Sequence, residues 1–301
     1  MTAPATEAPA VPHGSLPVPT DAAGEPLGRF RRAARRLPVD RTPVWFMRQA
    51  GRTLPEYREL RKRWTLLQMC ADAELCAEVT LQPMRRFPLD AAVMFGDIML
   101  PLQGAGVELD IVEKVGPVIA HPIRDMAGVE RLRALEPERD LPALMEAVRI
   151  VRRELAPERG VLGFAGAPFT LAAYLVEGRG TRDFVKTKAL MHGAPDVWHA
   201  LMTRLSDIVI AFLRGNAHAG ADALQLFDSW VGALSATDYA AHVRPHVRRI
   251  FAELADLGLP LVHFGTNTAH LLDLVKDEGG TVIGLDWRVP LDVAWARVGH
   301  H

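Results

Sequence analysis

Short apolar runs alternate along the chain with longer segments in which apolar residues recur every three or four positions. The short runs predict strands at Val44–Met47, Ala91–Phe95, Val161–Ala165, Ala223–Phe227, Pro260–Phe264 and Thr281–Leu285. Because these runs are continuously apolar, they are typical of strands buried on both faces. The longer segments predict amphipathic helices between the strands. This alternation indicates an α/β protein with a parallel sheet and helices packed outside it.

Three of the longer segments carry clear apolar stripes at helical spacing, at residues 144–155, 197–212 and 237–258. In the third segment, Pro245 predicts a kink and Gly258 predicts the helix end. The segment Leu109–His121 departs from the alternation, because it contains Gly116-Pro117 between extended-looking flanks. We predict that this segment is an excursion at the top of the second βα unit.

The number of predicted strands leaves two architectures open. Six strands are too few for an eight-stranded β/α barrel, and Asp292–His301 continues as a helical pattern with no further strand. The chain is therefore either an open six-stranded sheet or a barrel whose last two βα units are absent. Residues 1–28 are rich in Ala, Pro and Thr and predict a disordered tail, whereas residues 29–301 predict the folded domain.

The composition is that of a globular protein without a strong overall charge. Of the 301 residues, 49% are hydrophobic, and the formal net charge is −1. This balance provides no general basic field, so we predict that the protein binds neither nucleic acid nor a membrane surface. No apolar run approaches the length of a membrane span. The basic segment Arg29–Arg36 predicts a solvated helix face rather than a binding patch.

Cys70 and Cys76 are the only cysteines in the chain. They lie six residues apart in one predicted helix, so their side chains are expected on different faces of it. This arrangement predicts free, buried thiols in a reducing compartment, with the cytoplasm as the default. The cysteines and histidines do not show the spacing of a metal-ligand cluster, so the sequence predicts no zinc site.

The segment Pro43–Arg58, PVWFMRQAGRTLPEYR, is the first candidate for chemistry. Two guanidinium groups, Arg48 and Arg52, flank Gly51 at the exit of the first predicted strand. Arginine offers a planar fork that matches a carboxylate or phosphate, and glycine allows close backbone approach to a ligand. The segment is therefore either an anion-binding loop or a surface loop whose arginines pair with nearby acidic residues.

Polar residues also follow the later predicted strands, where ligand-binding groups gather in parallel α/β proteins. The candidates are Asp97, Tyr174, Ser229, Asp286 and Arg288. Each has a structural alternative: Asp97 and Ser229 could cap helices, and Tyr174 could be a core tyrosine. For Asp286 and Arg288 a structural ion pair is the favoured interpretation. The chain contains no phosphate-binding loop, nucleophile elbow or dinucleotide fingerprint.

Two long segments resemble the signatures of the uroporphyrinogen decarboxylase family, PVWFMRQAGRTLPEYR and GFAGAPFTLAAYLVEG. DIMLPLQGAGVELDI, QLFDSWVG and GLDWR are similar to the family in kind and order, and the resemblance runs from about Leu27 to Arg297. It implies a (β/α)8 TIM barrel, a homodimer, and no cofactor or metal. The implied reaction converts the four acetate side chains of uroporphyrinogen III to the methyl groups of coproporphyrinogen III, with release of CO2.

The resemblance also implies roles for the first segment. Arg48 and Arg52 would bind substrate carboxylates, and the backbone of Gln49, Ala50 and Gly51 would shape the same substrate-binding loop. A substrate with eight carboxylates explains why arginine is the residue type required.

The remaining implied site residues are Asp97, Tyr174 and Ser229. Asp97 would be catalytic and would face the pyrrole N–H groups, whereas Tyr174 and Ser229 would hydrogen-bond acetate or propionate groups. The chain departs from the family at Gly96, where serine is usual, and this is expected to loosen the loop that aims Asp97.

The family also continues past the point that matches the end of this chain, which implies that the last two βα units are missing here. Two other functions stay open: a corrinoid-dependent methyltransferase of the same superfamily, or an inactive tetrapyrrole-binding fragment.

Overall fold

The computed structural model describes Thr20, Gly24 and residues 27–112 and 115–299. The predicted disordered tail, residues 1–28, lies outside the described residues apart from Thr20, Gly24, Leu27 and Gly28. The strands are β1 (Ala91–Val93), β2 (Leu109–Val112), β3 (Gly116–Ile119), β4 (Gly160–Gly166), β5 (Ala223–Asp228), β6 (Leu261–Gly265) and β7 (Val282–Gly284).

Helices connect these strands and cover one face of the sheet. They are α1 (Arg29–Ala34), α2 (Pro55–Arg61), α3 (Leu66–Cys70), α4 (Ala73–Arg86), α5 (Leu100–Gly104), α6 (Met126–Glu130), α7 (Pro137–Asp140), α8 (Pro142–Glu154), α9 (Pro168–Glu177), α10 (Val185–Gly193), α11 (Pro195–Ala219), α12 (Ala236–His242), α13 (Arg244–Leu254), α14 (Leu272–Val275) and α15 (Leu291–Val298). Short 3-10 helices occupy Val231–Ala233, Ala255–Leu257 and Ala269–Leu271. Among the described helices, none combines the length and the apolar character that crossing a membrane requires.

The main sheet has five strands in the order β1-β4-β5-β6-β7, and all neighbouring pairs are parallel. Each strand therefore pairs with the sheet strand that precedes it in the chain, which is the arrangement of a β/α barrel. Over the described residues the sheet is open, with β1 and β7 at its edges. The predicted excursion at Leu109–His121 is confirmed as the antiparallel hairpin of β2 and β3.

Five of the six predicted strands are confirmed, and Val44–Met47 is wrong. This segment is extended beside β1, but only one backbone bond from it to the β1 region is formed, from Asp90 N–H to Val44 C=O at 2.9 Å. Val44, Phe46 and Met47 are exposed rather than buried. A single backbone bond to a neighbouring segment does not make the ladder that defines a strand.

The two faces of the sheet are buried differently. On one face, alternate residues such as Ala92, Val161 and Leu224 belong to the large core that the helices cover. On the other face, Val93 and Leu162 belong to a small cluster of five buried residues with Phe30, Ala91 and Ala223. The alternation follows from the two-residue period of a strand. The helix-covered face therefore holds most of the core.

The predicted helical stripes are confirmed in α8 and α11, whose apolar residues are buried. The third segment divides into α12 and α13 at Val243, and Pro245 occupies the first turn of α13. Proline is tolerated there because the first N–H groups of a helix have no partner within it. Gly258 follows with a φ of +62°, as the predicted helix end requires.

The basic segment at α1 is not the solvated face that the sequence predicts. Arg29 forms ion pairs with Asp40 and Asp90, and Arg31 lies 3.4 Å from Asp222. Asp90 and Asp222 are buried at the starts of β1 and β5. The arginines of α1 therefore supply counter-charges to buried carboxylates.

The two cysteines are both free and buried, as predicted, but they do not share a helix. Cys70 ends α3 and Cys76 lies in α4, because Asp72 caps the start of α4 through a bond from Leu75 N–H. The turn brings the thiols together, and the neighbouring Cys76 thiol and burial raise the pKa of Cys70. The prediction that they lie on different faces of one helix is wrong.

Candidate active site

The loop that carries Arg48 and Arg52 is fixed to the start of β1 by buried polar contacts. Val44 N–H donates to the carboxylate of Asp90 at 2.7 Å, and Arg41 binds the same carboxylate at 2.8 Å. Gln49 is buried, and its side-chain amide donates to the Ala91 carbonyl at 3.0 Å. Its own side-chain oxygen accepts from Phe46 N–H at 3.0 Å. These contacts fix the backbone from which the arginines project.

Gly51 supplies the turn in this loop. Its φ is +142°, a conformation that residues with a Cβ atom rarely adopt, and Leu54 N–H bonds to its carbonyl at 3.0 Å. Ala50 precedes it and is half-buried against the core. Arg48 and Arg52 are exposed, and neither has a hydrogen bond or ion pair with another described residue. The alternative interpretation, in which these arginines pair with nearby acidic residues, is therefore not observed.

Asp97 follows β1 and is half-buried in the loop before α5. Its carboxylate accepts a bond from Met99 N–H at 3.0 Å, and Met99 itself is the N-cap residue of α5. Asp97 is therefore not the N-cap residue of α5, although its carboxylate caps the turn that leads into this helix. Burial raises the pKa of Asp97, whereas the Met99 N–H and the positive charge of Arg48 oppose that rise.

Gly96 precedes this carboxylate. Its φ lies outside the left-handed region, and a Cβ there would meet Leu100 at 3.3 Å. The loop conformation at Asp97 does not depend on a glycine, and a serine in its place would require only a small shift of a leucine side chain.

Tyr174 extends from α9 towards the same place. Burial raises the pKa of Tyr174 to about 12, with a further increase from the nearby Asp97 carboxylate and an opposing effect of Arg48. The three side chains are therefore close enough to influence one another's charge. The ring of Tyr174 packs on that of Trp230 with centroids 4.1 Å apart. Tyr174 is thus half-buried beside charged groups, rather than an ordinary core tyrosine.

Ser229 lies directly after β5, next to Trp230. It is half-buried, and its carbonyl accepts a bond from the Thr266 hydroxyl. Its own hydroxyl has no hydrogen-bond partner among the described residues. Ser229 is not the N-cap of the next 3-10 helix, because that position is Trp230.

Asp286 and Arg288 form the structural ion pair that the sequence favours. The Asp286 carboxylate also accepts from Asn267 N–H at 2.7 Å and from Arg288 N–H at 3.0 Å. These contacts hold the turn after β7.

A buried network beneath the strand ends is the main feature that the sequence did not predict. Asp228 and Glu278 are fully buried on either side of His263, with His263 Nδ1 3.0 Å from Glu278 and its Nε2 3.7 Å from Asp228. Burial alone would lower the pKa of His263, but the two carboxylates raise it to about 9. The Tyr239 hydroxyl donates to Glu278 at 2.6 Å, and that of Thr170 donates to Asp228 at 2.9 Å.

This network supports the residues of the site. Trp230 N–H donates to the Thr170 hydroxyl at 3.3 Å, so the chain after Asp228, including Ser229, is tied to the buried charges. The sequence signal is an ionisable residue within or at the end of a largely apolar strand, at Asp228 and His263.

The sequence of this chain matches a known protein family and several of its members. The model of the uroporphyrinogen decarboxylase family matches residues 25–301. A uroporphyrinogen decarboxylase from Sorangium cellulosum is 56% identical over 272 residues, covering 90% of this chain and 78% of the relative. The Thermobifida fusca protein of the same name is 57% identical over 272 residues, covering 90% and 75%.

Among solved structures, a methyltransferase from Methanosarcina mazei superposes with a TM-score of 0.74 at 18% identity, covering 90% of this chain and 79% of that one. At this identity the likeness concerns the fold alone, and it agrees with the α/β architecture of TIM-barrel type. The matched family and the two decarboxylases cover the segments that carry Arg48, Asp97, Tyr174 and Ser229. This chain belongs to the uroporphyrinogen decarboxylase family.

Proposed function

We propose that this protein removes CO2 from the four acetate side chains of uroporphyrinogen III and forms coproporphyrinogen III in haem biosynthesis. The observation that carries the proposal is its family membership, at 56% identity to a named uroporphyrinogen decarboxylase over 90% of the chain. The local geometry supports it, because Arg48 has no ion pair with another described residue and lies close enough to the half-buried Asp97 carboxylate to affect its pKa.

The residue types fit the chemistry of this reaction. Protonation of the α ring carbon next to the one that bears the acetate makes the ring cationic, and the bond to the carboxylate then breaks as its electron pair forms an exocyclic double bond to the ring and neutralises it. A second proton is added to the resulting methylene carbon as the ring carbon loses its own, so each acetate becomes a methyl group. Asp97 would stabilise the cationic ring from the side of the pyrrole N–H groups.

The arginines would bind the substrate rather than take part in the bond changes. Arg48 and Arg52 have no protein counter-ion among the described residues, so each can pair with a substrate carboxylate without first breaking an ion pair. Tyr174 and Ser229 would donate hydrogen bonds to acetate or propionate groups. Gln49, Ala50 and Gly51 would act through the loop backbone, consistent with the burial of the Gln49 side chain. We also propose a cytoplasmic homodimer.

The methyltransferase alternative has less support. The solved methyltransferase shares only 18% identity with this chain, whereas the decarboxylases share more than half of the aligned residues.

An assay of turnover distinguishes the decarboxylase from the other alternative, a fragment that binds a tetrapyrrole without converting it. The purified chain is incubated with uroporphyrinogen III under anaerobic, reducing conditions, and the porphyrins are separated after oxidation. Coproporphyrin and CO2 are expected, and bound substrate without CO2 would overturn the proposal.

The catalytic carboxylate is tested with Asp97→Asn. The amide keeps the shape and the bond from Met99 N–H but removes the negative charge. Loss of a preorganised electrostatic group typically costs about 3–4 kcal/mol, roughly a hundredfold or more in rate. We expect kcat to fall by that factor while substrate binding persists, and unimpaired turnover would contradict the role of Asp97. Asp110→Asn, an exposed carboxylate in the β2–β3 hairpin, is the matched control.

A further inference from the structure

Four histidines and one carboxylate meet where α10, α11, α12 and α13 pack together. His192 lies in the last turn of α10, and Asp238 and His242 lie one turn apart on α12. One ligand atom from each of these three residues falls within 4.8 Å of the others. His192 Nε2 is 3.7 Å from Asp238 Oδ1, and the His192 and His242 rings are 5.4 Å apart and nearly perpendicular.

We propose that His192, Asp238 and His242 bind a Zn²⁺ ion, with water in the fourth position. Two imidazoles and one carboxylate form a donor set that zinc accepts, and three protein ligands with an open position is a known arrangement. Tetrahedral coordination at bond lengths near 2.05 Å places ligand atoms about 3.3 Å apart. The three groups must therefore close in by at most about 1.5 Å, and His192 is exposed enough to move.

Hydrogen bonds from neighbouring side chains orient the ligand residues on α12, as is usual around protein metal sites. The Ser235 hydroxyl donates to Asp238 Oδ2 at 2.9 Å, which leaves the other oxygen facing His192. Outer hydrogen bonds of this kind orient ligating carboxylates. The backbone of His242 is fixed by a bond from the Trp198 indole N–H to its carbonyl at 3.0 Å. These contacts hold α12 with its two ligands towards α10.

A second observation concerns a nitrogen of His242. Its Nδ1 is buried and has no hydrogen-bond partner among the described residues. A buried polar atom without a partner costs about 1–3 kcal/mol. The adjacent histidines do not satisfy it, because His199 Nδ1 and His246 Nε2 bond to each other at 3.0 Å while the His199 ring stacks beside His242. Binding of an ion at this cluster would give the His242 ring a polar partner.

Sequence spacing does not predict this site, because its ligands come from two helices that are distant in the chain. The proposed ligands lie on α10 and α12, whereas Arg48, Asp97 and Tyr174 lie in other parts of the fold, in the loops around β1 and in α9. A bound ion would link α10 to α12 and stabilise the folded state whenever its concentration exceeds the dissociation constant.

The test uses the full chain without an affinity tag, freed of metal with a chelator and titrated calorimetrically with ZnCl2. We expect one Zn²⁺ per chain, an affinity at least tenfold weaker in His192→Ala, and a similar loss in Asp238→Asn. Asp238→Asn keeps a side-chain oxygen that can accept the hydrogen bond from the Ser235 hydroxyl. His218→Ala, an exposed histidine of α11, is the control and is expected to match the wild type.

Two further readouts do not depend on catalysis. Co²⁺ is expected to give the intense visible absorption of tetrahedral coordination in the wild type and in His218→Ala, but not in His192→Ala. Zn²⁺ is expected to raise the melting temperature of the same two proteins. Equal zinc stoichiometry and affinity in wild type and His192→Ala, or no stoichiometric binding by the wild type, would overturn the proposal.

Discussion

At the scale of single residues, Arg48 and Arg52 are expected to have different effects although both are exposed and unpaired. Arg48 is close enough to Asp97 to oppose the rise in its pKa, whereas Arg52 does not contribute to the pKa of Asp97. Replacing Arg48 by glutamine should raise the pKa of Asp97 further. Because the reaction requires the ionised carboxylate, the acid limb of kcat/KM should then move to higher pH.

Both arginine variants should also weaken substrate binding. A hydrogen bond to a charged group contributes about 1.5–3 kcal/mol, so kcat/KM should fall roughly tenfold to a hundredfold in each. Profiles of kcat/KM against pH for the wild type, Arg48→Gln and Arg52→Gln separate the two effects. If the acid limb moves equally in both variants, the specific coupling between Arg48 and Asp97 is refuted.

The sequence predicted that Arg48, Asp97 and Tyr174 lie near one another, and the structure brings these three together. They were found because polar residues follow apolar runs of the sequence, although the run before Arg48 is not a strand. The structural role of the Gln49 side chain could not be predicted, since its partner Ala91 is forty-two positions away. The same reason applies to the histidines of α10 and α12, whose proximity depends on helix packing.

At the scale of elements, the buried charges connect β5, β6 and the segment before β7. His263 has a pKa of about 9 in the folded protein, compared with 6.5 for an unperturbed histidine. A raised pKa means that protonation favours the folded state. This stabilisation is complete below about pH 6.5 and is lost as the pH rises towards 9 and above. The loss amounts to about 3 kcal/mol.

Glu278→Gln tests this network. The amide can still accept the Tyr239 hydroxyl, but one of the two carboxylates that raise the pKa of His263 is gone. We expect the pKa of His263, followed by NMR, to fall, and urea unfolding to depend less on pH between 6.5 and 9. Asp277→Asn, an exposed neighbour, serves as the control and should behave as the wild type. An unchanged pH dependence in Glu278→Gln would rule out the charged His263.

Most elements were predictable because their apolar pattern agrees with their environment. The strand predicted at Val44–Met47 was wrong because a strand needs a neighbouring strand to pair with, and an apolar run in the sequence does not reveal whether one is present. The prediction of one helix through Cys70 and Cys76 was wrong because the helical periodicity continues across the boundary between α3 and α4. Thr65 and Gln68 form a capping box, and Asp72 caps the next helix, so local signals for two helices were present in the sequence.

At the scale of the molecule, the exposed apolar side chains concentrate at the two edges of the sheet. Val44, Phe46 and Met47 lie beside β1, and beyond β7 Trp287 is 85% exposed and Trp295 of α15 is 59% exposed. Contiguous exposed apolar surface marks a place where something else packs. The decarboxylases from Sorangium and Thermobifida are longer than this chain, which spans 78% and 75% of them.

We therefore predict that the C-terminal segment of the Thermobifida relative, appended after His301, will cover both edges. Burial of more surface should raise the urea midpoint and the m value together. Trp287 and Trp295 should emit at shorter wavelength as they leave water, and turnover of uroporphyrinogen should rise because Arg48 and Asp97 are held beside a closed sheet. A scrambled segment of the same composition controls for length. If the two fusions have the same m value, emission and rate as the chain alone, the appended units neither close the sheet nor complete the site.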